Sequence, residues 1–260
     1  MKISVCCPSY KRPVVKTLKY LPFCKVYVDY DEYDEYIKNN PVDNIVRCDK
    51  GVQGNVSRVR NYILDKEFEQ GADVVCIVDD DMNGIYRFDV NYDTNFGYER
   101  KRIESDDFID FVEKYSILCL EFGFKLWGVN CNSDNLSYRH NAPFSLTSVI
   151  LGPFCCHLKN DIRYDEELPL KEDYDLAIQH LNEYRGILRL NAYHYICEQS
   201  TNKGGCASMR NRIREKEQFE MLQRKWGSSI VKEDTTNKGR TKKIKKFDYN
   251  PIVKVPIKGI

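Results

Sequence analysis

Three consecutive carboxylates, Asp79-Asp80-Asp81, stand directly after the apolar run VVCIV. Adjacent acids repel one another, and a buried strand would deliver them to the carboxyl edge of a sheet, where open α/β folds bind ligands. A divalent cation held by one or two carboxylates and by the oxygens of a diphosphate would relieve that repulsion. The competing explanation is a solvated acidic turn, which the apolarity of the preceding run disfavours. A second acidic pair, Glu172-Asp173, opens a helical stretch. Acids there compensate the helix dipole, and the same setting keeps a carboxylate ionised and able to take a proton. His194, on the alternating run AYHYIC, is either a half-buried strand histidine or a further cation ligand, since neutral imidazole fits both roles. Cys155-Cys156-His157 lacks a second ligand pair at zinc spacing and reads more simply as buried thiols.

Positioning these groups requires alternating strands and helices. Short apolar runs at Ile3 to Cys7 (closed by Pro8), Lys25 to Tyr30, Asn44 to Cys48 and Asp73 to Val78 read as strands. Between the last two, Gly51 and Gly54 lead into a helical segment from Asn55 to Gln70. Its stripe of Val56, Val59 and Ile63 turns Arg58, Arg60 and Asn61 partly away from the core. Strand, helix, strand implies a largely parallel sheet. A core helix is expected from Asp106 to Phe122 with Ser105 at its N-cap, then strands at Lys125 to Cys131 and Ser145 to Leu151. Further helices are expected at Leu170 to Tyr184 and Ser208 to Trp226. Residues 1–227 read as one domain, with a nucleotide-binding half to about residue 100 and an acceptor half after it; 228–260 read as a basic tail.

The 260 residues carry 40 lysines and arginines against 39 acids, yet the balance is uneven. After residue 200 there are 16 basic and 6 acidic residues, a net of +10, which leaves 1–200 at −9. That split excludes a uniformly basic nucleic-acid coat, and 42% hydrophobic content excludes a mainly disordered chain. Eleven scattered cysteines without a C-x-x-C, and no apolar run near 18 residues, point to a soluble protein of a reducing cytoplasm, with no membrane partner.

The runs ISVCCPSYKRP, VYVDYDE, GNVSRVRNYIL and VVCIVDDDM, in this order and spacing, resemble the GT-A glycosyltransferases. LPLKEDYDLAIQHL resembles their acceptor-side motif. With ILRLNAYHYICEQSTNKGGCASMR, the chain is most similar to the TET-associated phage glycosyltransferases of hydroxymethylated DNA bases. The resemblance implies a Rossmann-like α/β/α fold with a mixed, mostly parallel sheet, and a nucleotide-sugar donor, UDP-linked. Pro8, Tyr10, Arg12, Asp29, Arg60, Asp79, Asp80 and Gly205 would then bind the donor, although Tyr10 could equally be a surface aromatic. Asp81, Asp79 and His194 would hold Mn2+ or Mg2+, and three acids leave two registers for the D-x-D. Asp173 would be the general base beside Glu172, with inversion. The loop at Gly204-Gly205 could close over the phosphates, and Asn130 to Phe144, with Arg139 and His140, could face the acceptor. Arg210, Arg214, Lys242, Lys243, Lys245 and Lys246 would engage DNA phosphates. Three rivals remain: a transferase acting on protein or glycan, a non-catalytic binding module keeping the fold, and a phosphohydrolase. The last is disfavoured because the aspartates follow a fourth strand rather than a first.

Overall fold

The run Val74–Val78 has no polar face, so it can be satisfied only between two layers. In a computed structural model of the chain all five of its residues are buried. The structure describes residues 1–91, 97–197, 211–234 and 249–255. Its strands are β1 (Ile3–Pro8), β2 (Lys25–Val28), β3 (Ile45–Arg47), β4 (Val74–Val78), β5 (Met82–Asn91) and β6 (Gly97–Arg102), followed by β7 (Leu126–Asn130), β8 (Phe144–Ser145), β9 (Phe154–Leu158), β10 (Leu188–Cys197), β11 (Val231–Glu233) and β12 (Pro251–Val253). The helices are α1 (Tyr33–Asn39), α2 (Val56–Glu69), α3 (Phe108–Glu121), α4 (Glu172–Tyr184) and α5 (Arg212–Trp226).

One mixed sheet runs in the order β3-β2-β1-β4-β9-β7-β10-β5-β6, with β8 on β10. β1 to β4 pair in parallel, as the strand-helix-strand pattern implies. Strand alternation sends Cys7, Val74, Cys76 and Val78 into one apolar layer with Tyr36 of α1 and Phe108, Phe111 and Val112 of α3. Cys6, Val75 and Ile77 enter the other, with Val59 and Ile63 of α2 and Leu176 and Leu181 of α4. The result is the expected α/β/α arrangement.

Three expectations need correction. The strand expected at Ser145 to Leu151 shrinks to the pair Phe144–Ser145. Its place in the sheet goes to β9, which runs antiparallel between β4 and β7. All five β9 residues are buried, so FCCHL shows no alternation that sequence could reveal. Ser105 does not cap α3; Asp107 occupies that position without a side-chain bond. The chain beyond residue 227 is not wholly a tail. β11 and β12 pair, and buried Val231 joins Val253 and Tyr249 on Ile178, Phe219 and Leu222 of α4 and α5. The apolar residues that do this are few and lie on either side of the lysine-rich run, so composition hides them.

Candidate functional site

The carboxyl ends of β1, β2, β4 and β10 form one rim. At β1, Pro8 stands opposite Tyr27, and the Ser9 N–H continues the ladder onto Tyr27 O at 3.0 Å. The chain then turns through Lys11, at φ 56°, whose ammonium lies 4.9 Å from the half-buried ring of Tyr10. This turn brings Arg12 back onto the aspartates. Arg12 Nη1 donates to Asp80 Oδ1 at 2.7 Å and lies 3.7 Å from Asp81 Oδ2. The Ser9 hydroxyl donates to the other Asp80 oxygen at 2.7 Å. Backbone N–H groups of Lys16 and Thr17 reach Asp80 O, and the Thr17 hydroxyl reaches Asp79 O at 2.5 Å. Asp80 thus ties the first loop to the end of β4, with both carboxylate oxygens engaged by protein. Asp79 and Asp81 are held at longer range, Asp79 3.5 Å from Arg60 and Asp81 3.7 Å from Arg12.

Arg60 reaches the rim from α2, whose start is capped by Asn55 Oδ1 accepting from Ser57 N and Arg58 N. Its Nη1 donates to Glu172 Oε1 at 3.1 Å and its Nη2 lies 3.5 Å from Asp79 Oδ1, while the guanidinium sits 5.4 Å from the ring of Tyr164. One planar fork therefore joins the β4 acids to the acidic start of α4. Its neighbour Arg58 points outward to Glu166 at 2.9 Å.

Asp173 accepts from its own helix at Tyr174 N (2.8 Å) and from Gly152 N (3.3 Å) in the loop before β9. Gly152 is at φ 83°, and a Cβ there would lie 2.1 Å from the Tyr195 hydroxyl, so the position admits only glycine. Burial raises the Asp173 pKa, while the Arg60 charge and the two N–H bonds restrain it. Partial burial, with Asp80 and Asp81 alongside, also raises the Asp79 pKa, and Arg60 and Arg12 oppose the rise.

Asp29, after β2, lies on the same rim and accepts from Asp31 N at 2.9 Å. His194 does not join the aspartates. In the β5–β10 ladder it stands opposite Tyr86, five residues beyond Asp81, which at about 3.3 Å per residue is roughly 16 Å of strand. Its ring is buried against Tyr86 and Phe88, at 5.7 and 4.6 Å between centroids. The β10 residue that lies beside the aspartates is Cys197, opposite Met82, where burial and the charges of Asp79 and Asp81 raise the thiol pKa. The expected metal role of His194 is therefore corrected: the alternation of AYHYIC reveals a strand but not its register against β5. Cys155, Cys156 and His157 are core residues of β9, with His157 Nε2 bonded to Tyr164 Oη at 2.9 Å. The ten described cysteines are free thiols.

Arg214 is exposed in the first turn of α5, and Arg139 and His140 are exposed in the loop after β7. Gly205, Arg210, Lys242, Lys243, Lys245 and Lys246 lie outside the described residues. Sequence reasoning missed Thr17, Gly152, Tyr164 and Cys197. Gly152 carried a weak signal as the glycine of a Gly-Pro turn after an apolar run; the others carried none.

Among the described residues no group of three or more His, Cys, Asp and Glu side chains is arranged to hold a metal. The oxygen donors of Asp79 and Asp81 nevertheless suit a hard cation that takes its other ligands from a phosphate. Charge points the same way. Asp79, Asp80, Asp81, Glu172 and Asp173 are five carboxylates against the two guanidinium groups of Arg12 and Arg60. Lys171, the nearest ammonium in sequence, is committed to Glu215 at 2.7 Å.

Fold and site together define an α/β/α chain with two acidic motifs joined across one arginine. Residues 22–205 match the family model of the TET-associated glycosyltransferases, and the chain belongs to that family. No curated protein matches the chain. Among solved structures it is similar to S. aureus TarS 1–349, with 16% identity over 75% of this chain and 59% of that one, at a TM-score of 0.42. It is also similar to glucosyl-3-phosphoglycerate synthase from Mycobacterium tuberculosis in complex with Mn2+, UDP-glucose and glycerol 3-phosphate. There the identity is 11% over 90% of this chain and 84% of that one, at a TM-score of 0.49. The chain thus spans less than two thirds of the TarS fragment. No helix among the described residues is long and apolar enough to cross a membrane.

Proposed function

We propose that the chain transfers a sugar from a nucleotide-sugar, UDP-linked, to the hydroxyl of a 5-hydroxymethylated pyrimidine in DNA. The observation that carries this reading is the Arg60 fork between Asp79 and Glu172, which sets a donor-side acid and the acceptor-side helix start against each other. Family membership supports the transfer and suggests the acceptor.

Pro8, Tyr10, Arg12 and Asp29 line the rim where a nucleoside would lie. Arg60 binds the diphosphate side with Asp79, and Asp80 keeps the first loop in place. Mn2+ or Mg2+ would be held by Asp79 and Asp81, and when bound it supplies positive charge to the departing diphosphate. Asp173, ionised, removes the proton from the acceptor hydroxyl. That oxygen forms the new bond to the anomeric carbon as the bond to the diphosphate oxygen breaks, a single displacement with inversion. A 5-substituent on a pyrimidine is exposed in the major groove, so it can be reached from there. The basic residues Arg210, Arg214, Lys242, Lys243, Lys245 and Lys246 would add salt-dependent affinity for phosphates.

The test incubates the protein with Mn2+, a panel of nucleotide-sugars, and DNA with and without hydroxymethylated bases, with product read by mass spectrometry. The expected result is a hexose-sized mass gain on modified DNA only, lost in Asp173→Asn and Asp81→Asn. Nucleotide release that never depends on modified DNA would refute the DNA acceptor. Unchanged turnover in Asp173→Asn would refute the assignment of the base.

A further inference from the structure

The residue at the start of α4 is unusual for its place. Lys171 sits at the N-cap, where the helix end is already positive and a carboxylate or hydroxyl is preferred. It is also buried, at 1% exposure, and a buried ammonium is costly unless paired. Its Nζ lies 2.7 Å from Glu215 Oε2 of α5 and 3.4 Å from Asn250 Oδ1 before β12. α5 grips the same stretch at three more points. Gln218 Oε1 accepts from Leu170 N at 3.3 Å, Lys225 Nζ bridges Asp165 and Asp175 at 2.6 and 2.9 Å, and Trp226 Nε1 donates to the fully buried Asp175 at 2.7 Å. The next two residues after Lys171 are Glu172, on the Arg60 fork, and Asp173. An apolar side chain would fill the Lys171 position at lower cost, so helix stability does not account for it.

We propose that Lys171 is a positioning residue for glycosyl transfer: locked to Glu215, it fixes the first turn of α4 so that Glu172 meets Arg60 and Asp173 faces the acceptor. This rests on Asp173 being the general base. Neither Lys171 nor Glu215 touches the reacting atoms, and α5 acts through them as a clamp on the catalytic helix end.

The experiment uses the full chain and compares Lys171→Met, Lys171→Arg, Glu215→Gln and the double variant Lys171→Met with Glu215→Leu. An apolar pair of similar volume replaces a buried ion pair at little or no loss of stability. The double variant is expected to keep the wild-type Tm within a few degrees, lose at least tenfold in kcat, and leave the donor KM within about twofold. Lys171→Arg restores most of kcat, and Glu215→Gln, which keeps a hydrogen bond, loses about threefold to tenfold with little change in Tm. Wild-type kcat in a folded double variant overturns the proposal, as does kcat that merely follows Tm across the set. If the double variant does not fold, full kcat in Glu215→Gln overturns it. Asp173→Asn, measured alongside, separates the two levels: full activity there defeats the general base and this proposal together. Loss of activity in Asp173→Asn with wild-type kcat in the clamp variants defeats this proposal alone.

Discussion

Replacing Arg60 by lysine keeps the positive charge but removes the fork, since one ammonium cannot serve Glu172 and Asp79 from the same point. The Glu172 contact is the stronger. At 3.1 Å and an effective dielectric of about 20 its gross Coulomb energy is about 5 kcal/mol, and both side chains are nearly buried. Breaking a buried pair by removing one partner costs about 3–5 kcal/mol. The Asp79 contact adds at most about 1 kcal/mol, because it spans 3.5 Å to a carboxylate 40% exposed. Arg60→Met is therefore expected to lose about 3–5 kcal/mol of stability, roughly 6–20 °C in Tm for a chain of this size. Arg60→Lys should fall between it and the wild type. The same charge holds down the pKa of both Asp79 and Asp173. Without it the base is protonated at higher pH, so the acidic limb of kcat/KM moves to higher pH in Arg60→Met and stays nearer the wild type in Arg60→Lys. Differential scanning calorimetry and a pH–rate profile from 5 to 9 measure the two effects. Arg60→Met with wild-type Tm and an unmoved acidic limb would refute the bridging role.

Gly152→Ala should lose about 2–4 kcal/mol from backbone strain and the clash with Tyr195, and drop kcat by tenfold or more as the Gly152 N–H leaves Asp173; thermal denaturation and steady-state rates check this. Burial lowers the pKa of His180 to about 4, against about 6.5 in the unfolded chain. Between those values the unfolded state binds more protons, so stability is complete above pH 6.5 and falls on acidification. The loss from this residue is about 2 kcal/mol at pH 5, and His180→Gln should flatten that part of the Tm–pH curve. Ending the chain at Gly227 strips Val231 and β12 from α4 and α5, and a drop in Tm with increased binding of an apolar dye is expected. Deleting 235–248 instead should leave Tm nearly unchanged and flatten the salt dependence of DNA binding, read by filter retention across a salt series.

What was legible in the sequence depended on whether the signal was local. The run VVCIV, the glycines Gly51 and Gly54 and the stripe of α2 are written in neighbouring residues, so the end of β4 and the start of the Arg60 helix could be placed from sequence. β9 could not, because a strand covered on both faces has no polar phase and its antiparallel direction depends on β4 and β7. The same reason explains His194. Its strand was readable, but its register against β5 follows from pairing across more than a hundred residues, with a shift at Ile196–Cys197. The tie of Asp80 to Ser9 and Arg12 was likewise unreadable, because it depends on the loop after another strand.

The direction of β9 has a consequence for how this protein can change. In an all-parallel sheet, the connection entering a strand lies on the rim opposite the ligand. Because β9 runs the other way, its entry at Gly152 and Pro153 comes to the ligand rim, where Pro153 O accepts from Asp79 N at 3.2 Å and Gly152 N meets Asp173. The stretch between β8 and β9 thus ends against both acidic motifs, at Asp79 after β4 and at Asp173 in α4. A change in the length of that stretch would therefore move the backbone beside Asp79 and Asp173 together, so the two acidic motifs cannot vary independently at this edge.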